Sequence, residues 1–523
     1  MKARFKILLI CFLLCLFTIS ARASAQQKII YIPMDDRPVC LDYPVQTLKA
    51  VGYDVITPPK KMIASYNKVG KPDDLYNWLL KNASSTTEAV ISADSMVYGG
   101  LVSSRKHELD EKTLNLRVKR LLNLKKKFKY LNVYLFSTVM RSPKSSNNIV
   151  EPEYYPKWGK QIFRYGELKD KVEQGVIKKK ELIELSKLLV NIPRDIQADL
   201  DRRRAINLKI LKKLLKGVKK GTINYYLIGK DDSALYSEAN RDANKLSEYI
   251  RKLPKYKVRF FSGADELGML LLCRAVQHIR LKTPMVYPIY QVGVGEKTIP
   301  SYENENVKQS VRNHIYAAGG VPILSPKRSD LVLAVNTPVD GNTKSAAGPD
   351  NKAKLNANTY KFIKRIEKYI SDGKNVALAD IAFSNGADNA LVTELVSTKG
   401  TKKLVAYAGW NTASNSIGYA VSQGLLAEYM ENDKKDRLIT VRLLDDWLYE
   451  SNARQILRRN LIWRNGWNDW SLTDAHKNGA QRSLWYIMQS LAKGTYLENE
   501  VGTFSYLLPW NRSFECWVKE PHE

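Results

Sequence analysis

Short apolar runs and amphipathic segments alternate along most of the chain. The apolar runs are five to seven residues long, rich in Val, Ile, Leu and Tyr, and bounded by polar turn residues. Uninterrupted runs of this kind are typical of parallel strands that are buried on both faces. They predict strands at residues 28–33, 53–57, 88–93, 131–137, 223–229, 257–262, 285–290, 330–336, 375–380 and 404–408.

Helical spacing of apolar residues occurs between these runs, as in residues 111–129, 192–218 and 265–279. Sequential βα units of this kind indicate an α/β protein. The fold prediction is a TIM-barrel-like parallel α/β domain, then a Rossmann-like α/β domain, then a helical C-terminal region. The predicted domains are residues 26–285, 286–425 and 426–523, and the last of these is rich in tryptophan.

The first 25 residues have the three parts of a secretory signal peptide. Residues 2–6 carry three basic side chains, residues 7–19 are apolar, and residues 23–25 read Ala-Ser-Ala. The alternative is a membrane anchor, but the apolar run is shorter than the ~20 residues that span a bilayer. We therefore expect a secreted or cell-envelope-associated protein that has no integral membrane segment after cleavage.

Basic residues outnumber acidic ones by 83 to 53, which gives a formal net charge of +30. Many of the lysines lie at the polar positions of predicted helices, where they form solvated faces. The excess charge also favours attraction to anionic polymers of the cell envelope. The sequence has no nucleic-acid recognition motif, so we expect no nucleic-acid partner.

Acids or arginines follow five of the predicted strands. Parallel strands present their carboxyl ends, and the residues that follow them, at one edge of a sheet. A single acid after a strand is often the N-cap of the next helix, but adjacent acids recur here three times. The positions therefore predict a shared site. They are Asp35, Asp36 and Arg37 after the first strand, Asp94, Tyr98 and Arg105 after the third, Arg141 after the fourth, Asp231 and Asp232 after the fifth, and Asp265 and Glu266 after the sixth.

A family resemblance rests on five short blocks of sequence. They are PMDDRP at 33–38, SADSMVYGGLVSSR at 92–105, GKDDSA at 229–234, SGADELG at 262–268 and AGWNTASNSIG at 408–418. As a set they resemble the bacterial family called domain of unknown function 4127. The resemblance implies export or a surface location and a site shared by these blocks, but it implies no reaction. A looser likeness, at the level of the fold, is to secreted (β/α)8 glycoside hydrolases.

The leading functional hypothesis is an exported carbohydrate-active hydrolase that cleaves glycosidic bonds of an envelope or extracellular glycan without a cofactor. Paired carboxylates suit this reaction, because one acid donates a proton while another stabilises or attacks the anomeric carbon. The predicted catalytic residues are Asp231, Asp232, Asp265 and Glu266, of which Asp232 and Glu266 are favoured. The predicted substrate-binding residues are Asp35, Asp36, Arg37, Asp94, Tyr98, Arg105, Arg141, Trp410, Asn411 and Asn415.

Three alternatives stay open at this point. Trp410 either stacks on a sugar ring, with Asn411 and Asn415 as hydrogen-bonding partners, or is a buried core residue. The clustered aspartates also suit a hydrolase that depends on Mg²⁺, Mn²⁺ or Ca²⁺, since hard cations prefer oxygen ligands. A non-catalytic, exported glycan-binding protein would use the same side chains without turnover.

Cleavage after Ala25 is the testable consequence of the N-terminal pattern. Protein recovered from the medium or the envelope should begin at Gln26 when its N-terminus is sequenced. An intact Met1 on a cytoplasmic product would contradict this prediction.

Overall fold

The structure, a computed structural model, describes residues 27–144 and 146–520. Two parallel β-sheets form its centre, with six strands in one and five in the other. All ten predicted strands are present, and the α/β class with parallel sheets is confirmed. The predicted signal peptide lies outside the described residues.

The first sheet is open, not closed into a barrel. Its strands are β1 (Lys28–Ile32), β2 (Asp54–Ile56), β3 (Glu88–Ser92), β4 (Asn132–Val139), β5 (Tyr225–Lys230) and β6 (Val258–Ser262). They pair in parallel in the order β2-β1-β3-β4-β5-β6, so β2 and β6 are its edges. The TIM-barrel-like closure predicted for residues 26–285 is therefore wrong. Such a barrel needs eight strands, and the next strand along this chain belongs to the other sheet.

The second sheet is likewise parallel and open. The strands of this part of the chain are β7 (Met285–Tyr290), β8 (Val321–Pro322), β9 (Leu331–Asn336), β10 (Lys344–Ser345), β11 (Val376–Asp380), β12 (Phe383–Ser384) and β13 (Ala406–Ala408). The sheet order is β13-β11-β9-β7-β8, while β10 and β12 form a separate parallel pair. In both sheets the order of the strands reverses beside the first strand, the place where open α/β sheets bind ligands.

Helices cover both faces of the first sheet. Along β1, Ile29 and Tyr31 enter one apolar core while Ile30 and Ile32 enter another, as the two-residue period of a strand requires. The larger core also contains the second sheet, and the domain boundary near residue 285 stays a prediction. The helices up to β7 are α1 (Asp42–Ala50), α2 (Pro72–Asn82), α3 (Ala93–Tyr98), α4 (Leu101–Lys106), α5 (Glu111–Leu122), α6 (Leu124–Lys127), α7 (Tyr155–Glu173), α8 (Lys179–Asn191), α9 (Arg194–Lys219), α10 (Glu238–Ile250) and α11 (Leu267–Ile279).

The C-terminal region is mainly helical, as predicted, but it ends in an antiparallel hairpin that the sequence patterns did not indicate. Within residues 27–144 and 146–520, no helix is both long and apolar enough to cross a bilayer. The remaining helices are α12 (Val307–Ala317), α13 (Ala357–Ser371), α14 (Asn389–Ser397), α15 (Ala413–Leu426), α16 (Asn432–Arg442), α17 (Arg454–Leu457), α18 (Asp474–Ala492) and α19 (Glu498–Val501). Two π-helical segments, Leu443–Ala453 and Arg458–Ile462, flank α17, and the hairpin consists of β14 (Ser505–Leu507) and β15 (Trp517–Lys519).

Glu266 lies where the two sheets are joined through α11, α12 and α15. Its carboxylate accepts a hydrogen bond from the Ala264 amide at 3.0 Å and lies 3.3 Å from Nε2 of His314, which belongs to α12. The backbone of Gly263 passes close by with φ +140°, and a Cβ built there would lie 1.8 Å from Oε1 of Glu266. Only glycine therefore fits at position 263 without moving this carboxylate.

Gly263→Ala is expected to lower the free energy of unfolding by about 3 kcal/mol or more, because it combines an unfavourable φ with overpacking. Gly52→Ala is the matched control. Its φ is +95° but no heavy atom lies within 4 Å of a built Cβ, so we expect a loss of about 1 kcal/mol from the φ alone. Urea unfolding measures both, and equal losses would contradict the proposed clash.

Candidate functional site

A buried guanidinium connects the loops that follow β1 and β6. Nε of Arg37 donates to Oδ1 of Asp35 at 3.0 Å, and its Nη2 donates to Oδ2 of Asp35 at 2.8 Å and to Oδ1 of Asp265 at 2.6 Å. Burial alone would lower the pKa of Arg37, but the charges of Asp265 and Asp35 raise it well above its ordinary value. The indole of Trp510, whose centroid lies 5.0 Å from the guanidinium carbon, covers this group.

A second ion-pair cluster joins the ends of β4 and β5 around Glu151. One carboxylate oxygen of this fully buried residue accepts from Arg141 at 2.6 Å and from Arg105 at 3.3 Å. Arg105 also donates to Asp231 at 2.5 Å, and Arg141 donates to Asp232 at 2.7 Å. The predicted residues Arg105, Arg141, Asp231 and Asp232 are therefore held together by a glutamate that the sequence analysis did not single out.

Asp94 lies at the end of β3, beside this second cluster. Its Oδ2 accepts hydrogen bonds from the amide and hydroxyl of Thr138, at 3.0 and 2.9 Å. Burial raises the pKa of Asp94 to about 7; the charge of Asp231 adds to this effect, while Thr138 and Arg105 oppose it. The carboxyl group is therefore partly protonated at neutral pH.

A segment at residues 301–306, which we call the strap, passes from the second sheet onto the first. Oδ1 of Asn304 accepts hydrogen bonds from Nζ of Lys230 and from Oγ of Ser262, and Glu305 accepts the Ser262 amide at 2.7 Å. These contacts anchor the strap at the carboxyl ends of β5 and β6. They leave the side chain of Tyr302 about half exposed. Burial raises the pKa of Tyr302, and the nearby charge of Asp232 raises it further.

Left-handed backbone recurs around the same edge. Asp232, Tyr302, Asn385, Asn411 and Trp510 all have φ between 38° and 70°. Residues held in this conformation carry about 1–3 kcal/mol of strain and cluster at functional sites.

Side-chain and backbone contacts link these residues into one series. The side chain of Asn385 hydrogen-bonds Tyr302. The backbone N–H of Asn385 donates to the backbone carbonyl of Asn411 at 2.7 Å. Asn411 in turn lies 3.5 Å from Oδ2 of Asp265, which binds Arg37. The two ion-pair clusters therefore belong to one site. We call its partly exposed residues the rim: Asp36, Arg141, Asp232, Tyr302, Asn385 and Asn411.

Comparison with known proteins identifies the family. A family model described as "Protein of unknown function (DUF4127)" matches residues 29–519. The chain belongs to DUF4127. No curated protein and no solved structure matches the chain.

Ten of the fourteen predicted residues of this DUF4127 site are buried, and only Asp36, Arg141, Asp232 and Asn411 are partly exposed. Trp410 is only 3% exposed, so the core alternative for its ring is the one observed. Tyr98 packs against His107 with ring centroids 4.8 Å apart, and Asn415 and Glu266 are also inaccessible. Direct contact of the ten buried residues with a substrate stays a prediction that their burial argues against. Apart from Trp410, Tyr98, Asn415 and Glu266, the predicted residues lie in or beside the two clusters.

The DUF4127 site is acidic, although the chain as a whole is basic. Five carboxylates, those of Asp35, Asp265, Glu151, Asp231 and Asp232, face the three guanidiniums of Arg37, Arg105 and Arg141, a formal charge of −2 when all are ionised. Each arginine already binds two carboxylates. In the described part of the chain, no three His, Cys, Asp or Glu side chains are grouped as a metal site.

Asp94→Asn tests the raised pKa of the buried Asp94. Because this pKa is about 7 in the folded state against an ordinary 3.8, the folded protein holds a proton between these pH values that the unfolded chain releases. The contribution of this group to stability therefore falls as the pH rises. Asparagine mimics the protonated acid, so the variant should gain about 2 kcal/mol relative to wild type between pH 5 and pH 8.

Urea unfolding at the two pH values measures this difference. Asp372→Asn, at an exposed position in the turn after α13, is the matched control and should show no such gain. A pH-independent difference for Asp94→Asn would contradict the raised pKa.

Proposed function

We propose that this protein is an exported hydrolase of neutral glycans in which Asp232 donates the proton to the leaving group. The observation that carries the proposal is the state of Asp232 itself. Its side chain is one quarter exposed, Arg141 holds one of its oxygens at 2.7 Å, and its backbone is left-handed with φ 38°. A carboxyl group is thus held in a fixed, strained conformation at an accessible edge.

The electrostatics of Asp232 suit a general acid. Burial raises the pKa of its carboxyl group, and the neighbouring Asp231 adds to the rise, while Arg141 opposes it. A proton donor must stay protonated near the working pH, so a raised pKa is the property that the reaction requires.

We assign the role of the second catalytic carboxyl group to Asp36 and not to Glu266, because Glu266 is buried. It is partly exposed, and Nε1 of Trp510 donates to its Oδ1 at 2.7 Å. Burial raises the pKa of Asp36, while the hydrogen bonds from Trp510 and Ser65 favour its ionised form. An ionised Asp36 would activate water or stabilise the anomeric centre while Asp232 supplies the proton.

The rim favours an uncharged, hydroxyl-rich substrate. An anionic ligand would meet excess carboxylate and no unpaired arginine among Arg37, Arg105 and Arg141. The exposed phenol of Tyr302 and the amides of Asn385 and Asn411 offer both donors and acceptors, which match sugar hydroxyls. Export rests on the signal peptide predicted from residues 1–25.

Asp232→Asn and Asp36→Asn should each lower kcat by about a hundredfold or more, the usual scale of acid–base catalysis. The measurement is turnover of the chromogenic glycosides or envelope glycan fragments that the wild type cleaves. Glu266→Gln should retain kcat within a few-fold, provided that thermal unfolding shows an intact fold. The alkaline limb of the pH profile should also be lost in Asp232→Asn, because deprotonation of Asp232 causes that limb.

Asp372→Asn serves again as the control, since it makes the same chemical change far from the described contacts of the site. Near-normal turnover in Asp232→Asn would remove this residue from the mechanism. Binding of glycans by the wild type without any turnover would instead favour the glycan-binding alternative.

A further inference from the structure

Helix α8 turns an apolar face to solvent. None of its thirteen residues is buried, and Leu182, Ile183, Leu189 and Val190 are 45%, 60%, 51% and 82% exposed. Residues spaced by one, seven and eight positions lie on one side of an α-helix. These four side chains therefore lie on one side of the helix, as two apolar pairs with the exposed Ser186 between them, and we call this side the α8 face.

The acids of α8 point the other way, toward α7. Glu184 binds Nε and Nη2 of Arg164 through its two oxygens, at 2.8 and 2.7 Å, and Glu181 accepts from Lys171 at 2.6 Å. Leu188 is on this inner side too, where it packs against the small core around Tyr155. The inner side thus provides the contacts that attach α8 to the rest of the protein, and the α8 face takes no part in them.

Lysines surround the α8 face. Lys178 precedes the helix, Lys179 and Lys180 lie in its first turn, and Lys187 lies beside the apolar residues; all four are exposed. With Glu181 and Glu184 neutralised by bases of α7, the outward charge of α8 is positive. An apolar strip with flanking lysines is the pattern of helices that lie in the interface of a lipid bilayer.

We infer that the α8 face docks onto the surface of a bilayer that contains anionic phospholipid. Charge complementarity selects this partner, because exposed lysines next to a negatively charged leaflet each contribute about 1 kcal/mol. A bilayer also accepts an apolar strip about 12 Å long without a matching groove. The inference does not depend on the proposed glycan chemistry.

The docking surface belongs to the same helical insertion that supports the candidate site. Helix α9 follows α8 directly, and Arg204 of α9 donates to the carbonyls of Met140 and Arg141 at 3.0 and 2.6 Å. These bonds fix the loop that presents Arg141 to Asp232. Docking through α8 would therefore attach the candidate site to a membrane surface through a short, rigid connection.

Co-sedimentation of the full chain with vesicles tests the inference. The vesicles contain phosphatidylglycerol and phosphatidylcholine in a 1:3 ratio, and pure phosphatidylcholine vesicles serve for comparison. Ile183→Gln/Val190→Gln should lower the partition coefficient on the anionic vesicles about tenfold or more, because it removes apolar area from the interface. Lys179→Gln/Lys180→Gln should lower it about tenfold or more at low salt, with a smaller loss at high salt.

Matched controls make the same changes on other exposed surfaces. Leu281→Gln/Leu324→Gln replaces two exposed leucines and Lys352→Gln/Lys354→Gln two exposed lysines, and both should bind like wild type. The N-terminal apolar residues are common to every chain, so a difference between variants reports on α8 alone.

Three results would overturn the inference. The first is that wild type does not bind the anionic vesicles. The second is that the Ile183/Val190 variant binds them as well as its control does. The third is that neither wild type nor the Ile183/Val190 variant binds vesicles, while size-exclusion chromatography shows a self-associated wild type and a monomeric variant. The α8 face would then bind a second copy of the chain and not a bilayer.

Discussion

The buried ion pair of Arg37 with Asp35 and Asp265 is the interaction on which the geometry of the site depends. In the sheet, β1 and β6 are separated by three strands, yet this guanidinium joins the loops that follow them. Charges that are removed from water are stable only when they are paired, and removing one partner typically destabilises a protein by about 3–5 kcal/mol. The planar guanidinium presents donors to both carboxylates at once, which the single ammonium group of a lysine cannot do in the same way.

The same constraint explains why the C-terminal region belongs to the site. In its π-helical segment, Asp446 pairs with Arg442 and accepts the amide of Gly409 at 2.6 Å, directly before the loop of Asn411. Arg454, which pairs with Glu450, donates to the carbonyl of Asn385 at 2.7 Å. Burial raises the pKa of both Asp446 and Glu450, and the charges of Arg442 and Arg454 oppose that rise. Two strained asparagines of the rim are thereby held by residues from the last hundred of the chain.

Local pattern predicted the strands but not their pairing. A run such as residues 285–290 indicates a buried strand, and whether it pairs with β6 or begins a new sheet depends on contacts that the run does not encode. The grouping of the acids that follow the strands was predictable, because parallel strands have their carboxyl ends at the same edge of a sheet. Glu151, Tyr302 and Trp510 were not, since tertiary contacts bring them there from distant loops. Asn385 had a signal in the Asn-Gly pair at 385–386, typical of a turn with positive φ. The burial of Trp410 and Glu266 was not predictable either, because residue type alone does not distinguish a buried side chain from an exposed one.

The distribution of charge connects the candidate site with the rest of the surface. The chain carries +30 overall, yet five carboxylates outnumber three guanidiniums where the strands end, and lysines are concentrated on outer surfaces such as α8. Salt screens charges over about 8–10 Å, so the acidic site and the basic exterior act on their surroundings separately. The basic exterior attracts anionic surfaces from any direction, whereas the acidic site disfavours the entry of anionic groups. This arrangement supports both proposals, since the α8 face would meet an anionic bilayer while the acidic site would accept a neutral substrate.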